Sequence, residues 1–204
     1  MIETLETRDD FPTFVLDGQT IVIDDYLAIR PEREARLAAL IAEGRIEVGP
    51  WYILPDEFLV SGESIIRNLL EGGRRASQLG RCTNVGYLPD PFGHIAQLPQ
   101  ILQGFGIDLY IPPDELVPSL ATHLAGQAHS SVLLFAAGCD HETINPWLPD
   151  IVRNMDSEFA NAQVEIGGLA SYVASVRASL DATGGERALA RHVGELRGAL
   201  HAPI

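Results

Sequence analysis

Apolar and polar positions change period several times along the chain. Thr20-Ile21-Val22-Ile23 is an unbroken β-branched run and predicts a short strand. Beyond Pro31 the spacing becomes helical: Leu37, Leu40 and Ile41 share one side, so residues 31–43 predict an amphipathic helix opened by Pro31 and stopped by Gly44. Ile46-Glu47-Val48 predicts the next strand, which leads to Trp51. Residues 64–70 then predict a helix with Ile65, Ile66, Leu69 and Leu70 turned inward. Near its start Glu63 and Arg67 stand four apart, an i,i+4 pair contributing about 0.2–0.5 kcal/mol.

The same alternation continues. Val85-Gly86-Tyr87-Leu88 reads as a strand and residues 98–104 as the helix behind it. In the second half, residues 132–135 and 164–166 read as strands, while 147–161 and 169–180 read as helices. Strands alternating with helices predict an α/β fold with a parallel sheet. No internal repeat or low-complexity tract interrupts it, and Ala182-Thr183-Gly184-Gly185 reads as a joint before a final helix.

Composition narrows the function classes. With 204 residues, 46% of them apolar, the chain is long enough for one domain with a real core. A net charge of −14 argues against nucleic acid and anionic membrane as partners, since both reward basic patches. No apolar run reaches bilayer-spanning length, and the acidic start Met1-Ile2-Glu3-Thr4-Leu5-Glu6 is unlike a signal peptide. Cys82 and Cys139 fit a reducing, cytoplasmic setting and read as small buried residues.

Candidate chemistry concentrates in Gly86-Tyr87-Leu88-Pro89-Asp90-Pro91-Phe92-Gly93-His94. Pro91 pushes Asp90 toward extended backbone, and Gly93 permits a sharp turn just beyond. Asp90 is therefore expected at a strand end, where α/β proteins hold carboxylates at a cleft. An ordinary Asp-Pro turn with a solvated carboxylate is the competing reading.

That stretch does not stand alone. Gly49-Pro50-Trp51-Tyr52-Ile53-Leu54-Pro55-Asp56-Glu57, residues 61–70 and residues 86–106, in this order, resemble the N-terminal catalytic domain of glycoside hydrolase family 38 α-mannosidases, the bacterial members above all. The likeness starts at Phe14-Val15-Leu16-Asp17-Gly18-Gln19 and runs to Ile107. It implies an incomplete seven-stranded α/β barrel and a retaining, zinc-dependent hydrolysis of α-mannosides. Asp90 would be both the nucleophile and a zinc ligand. A retaining glycosidase needs a second carboxyl about 5–5.5 Å away to protonate the leaving oxygen. The resemblance puts that acid/base at Asp140, at the end of residues 132–141, where a helix N-cap or turn residue fits equally well. Trp51 is a candidate for stacking on a sugar face, with a core role as the alternative. Asp56 and Glu57 are read as loop residues that are solvated or line a cleft mouth, and His94 as a possible neighbour of Asp90.

The departures are as informative. The family's early His-Thr-His-Trp-Asp zinc strand and its later His-Asp motif have no counterpart here, and Pro112-Pro113-Asp114-Glu115-Leu116 follows Ile107 almost at once. The expectation is a single incomplete catalytic domain over residues 1–204, strongly family-like over 1–110 and weaker over 111–204 after an internal deletion. Zinc is not expected to bind tightly, and an uncovered apolar sheet edge is expected to favour self-association. The rival reading is an inactive fragment or a carbohydrate- or partner-binding remnant. A deacetylase-like zinc hydrolase would require a His-x-x-x-His pair, which the sequence does not contain.

Overall fold

The computed structural model describes residues 1–90, 92–107, 110–111, 130–138, 143–155, 162–183 and 193–195. Short strands and helices alternate along them: α1 (Ile2–Thr7), β1 (Phe14–Val15), α2 (Ile21–Ile29), a 3-10 turn (Pro31–Arg33), α3 (Glu34–Ala42), β2 (Ile46–Glu47) and α4 (Gly62–Leu79). β3 (Gly86–Tyr87), α5 (Leu98–Gly104), β4 (Tyr110–Ile111), α6 (Leu148–Met155) and α7 (Leu169–Thr183) complete the order. β1 pairs in parallel with β2, Phe14 opposite Ile46, and β3 pairs in parallel with β4, Gly86 opposite Tyr110. A single parallel bridge from Gln19 to Trp51 extends the first pair. The parallel α/β expectation therefore holds, although the described strands form two pairs and do not by themselves close a barrel.

Two apolar cores carry the first half. One gathers Leu5, Ile23, Leu37, Ile41, Ile46 and Val48, so α1, α2 and α3 cover β2. The other gathers Trp51, Ile65, Leu69, Leu88, Leu98 and Ile107, packing α4 and α5 around the end of β3. Arg45, just before β2, closes the turn after α1: its Nη2 donates to the carbonyls of Leu5 (2.7 Å), Arg8 (3.0 Å) and Phe11 (2.8 Å). Those carbonyls include ones that the end of a helix leaves without intrahelical partners.

Four elements differ from the sequence expectation. Thr20-Ile23 forms no strand, because Thr20 precedes α2, and its N–H and that of Ile21 donate to Tyr52 O at 3.2 and 2.9 Å. Tertiary packing overrides the β-branched run: only Ile23 is buried within α2, and the adjacent strand is Phe14–Val15. In α4 the buried stripe is Ile65, Leu69, Gly72, Ala76 and Leu79. Ile66 and Leu70, one position further round, are 36% and 57% exposed and do not face inward. Residues 132–135 and 164–166 pair in no ladder; Leu134 and Ile166 instead pack against the cores from irregular backbone. α3 ends before Gly44, which takes φ +76°, and α5 has the expected bounds. Of the helix expected over 147–161 the described part is Leu148–Met155, Ala182 and Thr183 belong to α7 where a joint is expected, and the final helix lies outside the described residues.

α7 is tied to β2 by one carboxylate. Glu47, buried within its strand, accepts from Leu169 N–H at 2.8 Å and Ala170 N–H at 3.4 Å, and its negative charge complements the positive end of the helix dipole. A Cβ on Gly168 would lie 2.3 Å from Glu47 Oε1, so a side chain there would displace the capping carboxylate.

Candidate active site

The carboxyl ends of three strands meet at one place. After β1 the chain turns through Asp17 and Gly18, both left-handed at φ 49° and 69°, and Gln19 N–H donates to Leu16 O at 3.3 Å. Two successive residues of this kind define a type I′ turn, which Asp-Gly suits. A side chain at Gly18 would meet Tyr87 Cδ1 and O at 3.3 Å, so this turn lies directly on the end of β3. Beyond β2, Trp51 N–H donates to Gly18 O at 3.2 Å, and the Trp51 indole Nε1 donates to Tyr87 O at 3.0 Å. Gln19 braces the turn from both sides, donating to Asp17 Oδ2 at 2.6 Å and accepting from Leu54 N–H at 3.2 Å.

Asp90 lies three residues beyond β3 and is exposed on this rim. Its carbonyl accepts from Phe92 N–H at 3.0 Å, and Gly93 takes φ 95°, the turn anticipated from the Pro-Phe-Gly sequence. Burial, then the negative charges of Asp17 and Asp90, push the Tyr87 phenol above its ordinary pKa. Both carboxylates therefore act on the same phenol.

The turn is anchored from below by a pair not anticipated from the sequence. Glu57, which is 3% exposed, receives His94 Nδ1 at 2.7 Å on one oxygen and the Ile95 N–H at 2.9 Å on the other. Glu57 is thus a buried strut and not a solvated loop residue. Its signal in the sequence is weak, because an acid after Pro-Asp ordinarily marks a surface turn. His94 pairs with Glu57.

Trp51 requires a correction. It is fully buried in the second core, so no ring face is open to a sugar; its one polar group is spent on Tyr87 O. Asp140 and its neighbour His141 lie outside the described residues. For zinc, the described residues around Asp90 offer carboxylates and a phenol. Among the described residues no three His, Cys, Asp or Glu side chains gather as a metal site needs. Among the described residues, the donors around Asp90 do not by themselves make up a zinc centre.

Parallel strands alternating with helices, with acids at the strand ends, place the molecule among the α/β proteins. Residues 1–111 match the glycosyl hydrolases family 38 N-terminal domain, and the chain belongs to that family. It is 46% identical over 108 residues to the "Putative mannosylglycerate hydrolase" of Halalkalibacterium halodurans, covering 52% of this chain and 12% of that protein. It is 39% identical over 83 residues to Alpha-mannosidase 2C1 of Mus musculus, or 40% of this chain and 8% of that one. The crystal structure of an α-mannosidase from Enterococcus faecalis V583 superposes with a TM-score of 0.83 at 25% identity, over 96% of this chain and 27% of that chain. The chain thus spans a small part of each relative's length, while the structural likeness extends well past residue 111.

Proposed function

We propose that this chain carries the nucleophile-bearing part of an α-mannosidase-type glycoside hydrolase. The observation that supports this best is the placement of Asp90: a solvent-facing carboxylate at the end of a parallel strand, in a braced turn, within the family-matching residues. In this reading Asp90 attacks the anomeric carbon of an α-mannoside as the glycosidic bond breaks. Asp140 gives the departing oxygen its proton, then takes one from the water that releases the sugar. The described strands would belong to an incomplete seven-stranded α/β barrel, acting on carbohydrate in the cytoplasm. Covalent catalysis also requires the sugar in near-attack geometry and charge stabilisation around it. One exposed carboxylate supplies neither. We therefore expect the 204-residue chain alone to turn over no aryl α-mannoside measurably, with or without added zinc.

The experiment is a chimera in which residues 1–111 replace the corresponding segment of the E. faecalis α-mannosidase. It is expected to hydrolyse an aryl α-mannoside, and Asp90→Asn in it to lower kcat by at least about 10³-fold. A chimera equally active with Asn at this position would overturn the assignment of Asp90.

A further inference from the structure

Asp90 sits between two prolines on an exposed rim, three residues beyond the short strand Gly86–Tyr87. Leu88 seats the strand side of Asp90 in the second core, and the far side of the turn is anchored from another part of the chain. Glu57 and His94 are 3% and 8% exposed, and burying such a pair is costly unless its hydrogen bonds are made. Here they are made: one Glu57 oxygen takes His94 Nδ1 and the other the Ile95 backbone N–H. A single carboxylate so grips the far side of the turn at two successive residues, while the Phe92 N–H bond to Asp90 O closes its near side. Ile95 leads into α5 through the bond from Leu98 N–H to its carbonyl, and Leu98 and Leu102 seat that helix in the core.

We propose that Glu57 and His94 are positioning residues for Asp90, a buried carboxylate–imidazole strut that fixes the turn from residue 90 to residue 95. The inference rests on reading Asp90 as the attacking carboxylate. Such a group must be held within about half an ångström of its productive place, and a loop achieves that only when a second layer of groups locks it. The chemistry sets the requirement on each partner. Glu57 must offer polar atoms to both His94 Nδ1 and the Ile95 N–H, which a leucine of similar length cannot. His94 must offer a donor at the Nδ1 position, which the amide nitrogen of asparagine can also supply and leucine cannot.

The test uses the full 204-residue chain and NMR, and so needs no turnover. Backbone order parameters at Asp90 and Phe92 are expected near 0.85 in the wild type and below about 0.6 in Glu57→Leu and His94→Leu. Ile95 amide exchange should accelerate at least tenfold in both, with Leu102 in α5 unchanged. His94→Asn should restore wild-type values at all three sites. Unchanged order at Asp90 in both disruptive variants would overturn the proposal, as would loosening spread equally to Leu102 or a failure of His94→Asn to rescue. If Glu57→Leu does not fold, the His94 pair decides the matter alone. Because the readout is the order of the turn, this outcome is separate from whether Asp90 proves to be the nucleophile.

Discussion

A residue's chemistry here is decided by who packs beside it, as Cys82 shows. Its sulfur occupies the space beside Gly49, where an added Cβ would lie 2.8 Å from Sγ. Burial pushes its thiol up to about 11 from an ordinary 9.0, so the reactive thiolate is about a hundredfold scarcer at neutral pH. The sequence reading of a small buried cysteine holds only in part, since Cys82 is half-buried against the first core. In a Cys139→Ser background, which leaves Cys82 as the sole thiol, a disulfide reagent at pH 8 should react at least about fiftyfold more slowly with folded than with denatured protein. Equal rates would mean that the thiol is solvent-facing. Trp51 and Glu57 show the limit of reading residues singly. Both lie beyond a strand in a loop-like sequence, and both turn inward because the partners that claim them, Tyr87 O and His94, lie 36 and 37 residues away.

At the scale of elements, α4 is the clearest case of packing dictated by one stripe. Gly72 lies on that stripe, where a Cβ would come within 2.2 Å of Trp51 C and 2.3 Å of Pro50 O. Gly73, its neighbour in the helix, has nothing within 4 Å. The two substitutions should therefore act in opposite directions. Gly72→Ala is expected to destabilise by about 1–3 kcal/mol through overpacking against backbone. Gly73→Ala should stabilise by up to about 1 kcal/mol through helix propensity. Chemical denaturation of both variants tests this, and two shifts of the same sign would contradict it. Elements with one strong period and clear end signals, such as α3 and α5, are legible in the amino-acid sequence alone. Thr20-Ile23 is not, since a β-branched run of four carries no period of its own and the carbonyls of Trp51 and Tyr52 decide where α2 begins. Residues 132–135 and 164–166 mislead as well: they join no ladder and are at most half-buried, with Phe135 48% exposed, so short β-prone runs of this kind fix neither pairing nor burial. The turn around Asp90 is readable from Pro, Phe and Gly in series, whereas the strut beneath it depends on a contact between distant segments.

Across the whole molecule, the family-matching residues are joined to the later helices by polar contacts as well as by Leu148 and Ile166 against the first core. Glu47 caps α7, and an ion network clamps α6 to the end of α1. Arg8 donates to Asp10 at 2.7 and 2.9 Å, to Asp150 at 3.0 Å and to the Pro146 carbonyl at 2.6 Å; Arg153 pairs with Asp10 at 2.8 Å and also with Asp150. No helix among the described residues is long and apolar enough to cross a membrane. Hydrogen bonds from Arg8, then Arg153, hold the Asp10 carboxyl well below its usual 3.8, and the same arginines lower Asp150. A carboxylate with a depressed folded pKa stabilises fully above its unfolded pKa and progressively less as pH falls toward the folded one. The stabilisation from Asp10 should therefore be complete at about pH 6 and fade below about pH 4. Melting temperatures of the wild type and Asp10→Asn should differ most at about pH 6 and converge as the solution is acidified toward about pH 2, with the gap also narrowing in high salt because the pair is exposed. A gap that widened on acidification, or ignored both pH and salt, would show that α1 and α6 are held together by apolar packing alone.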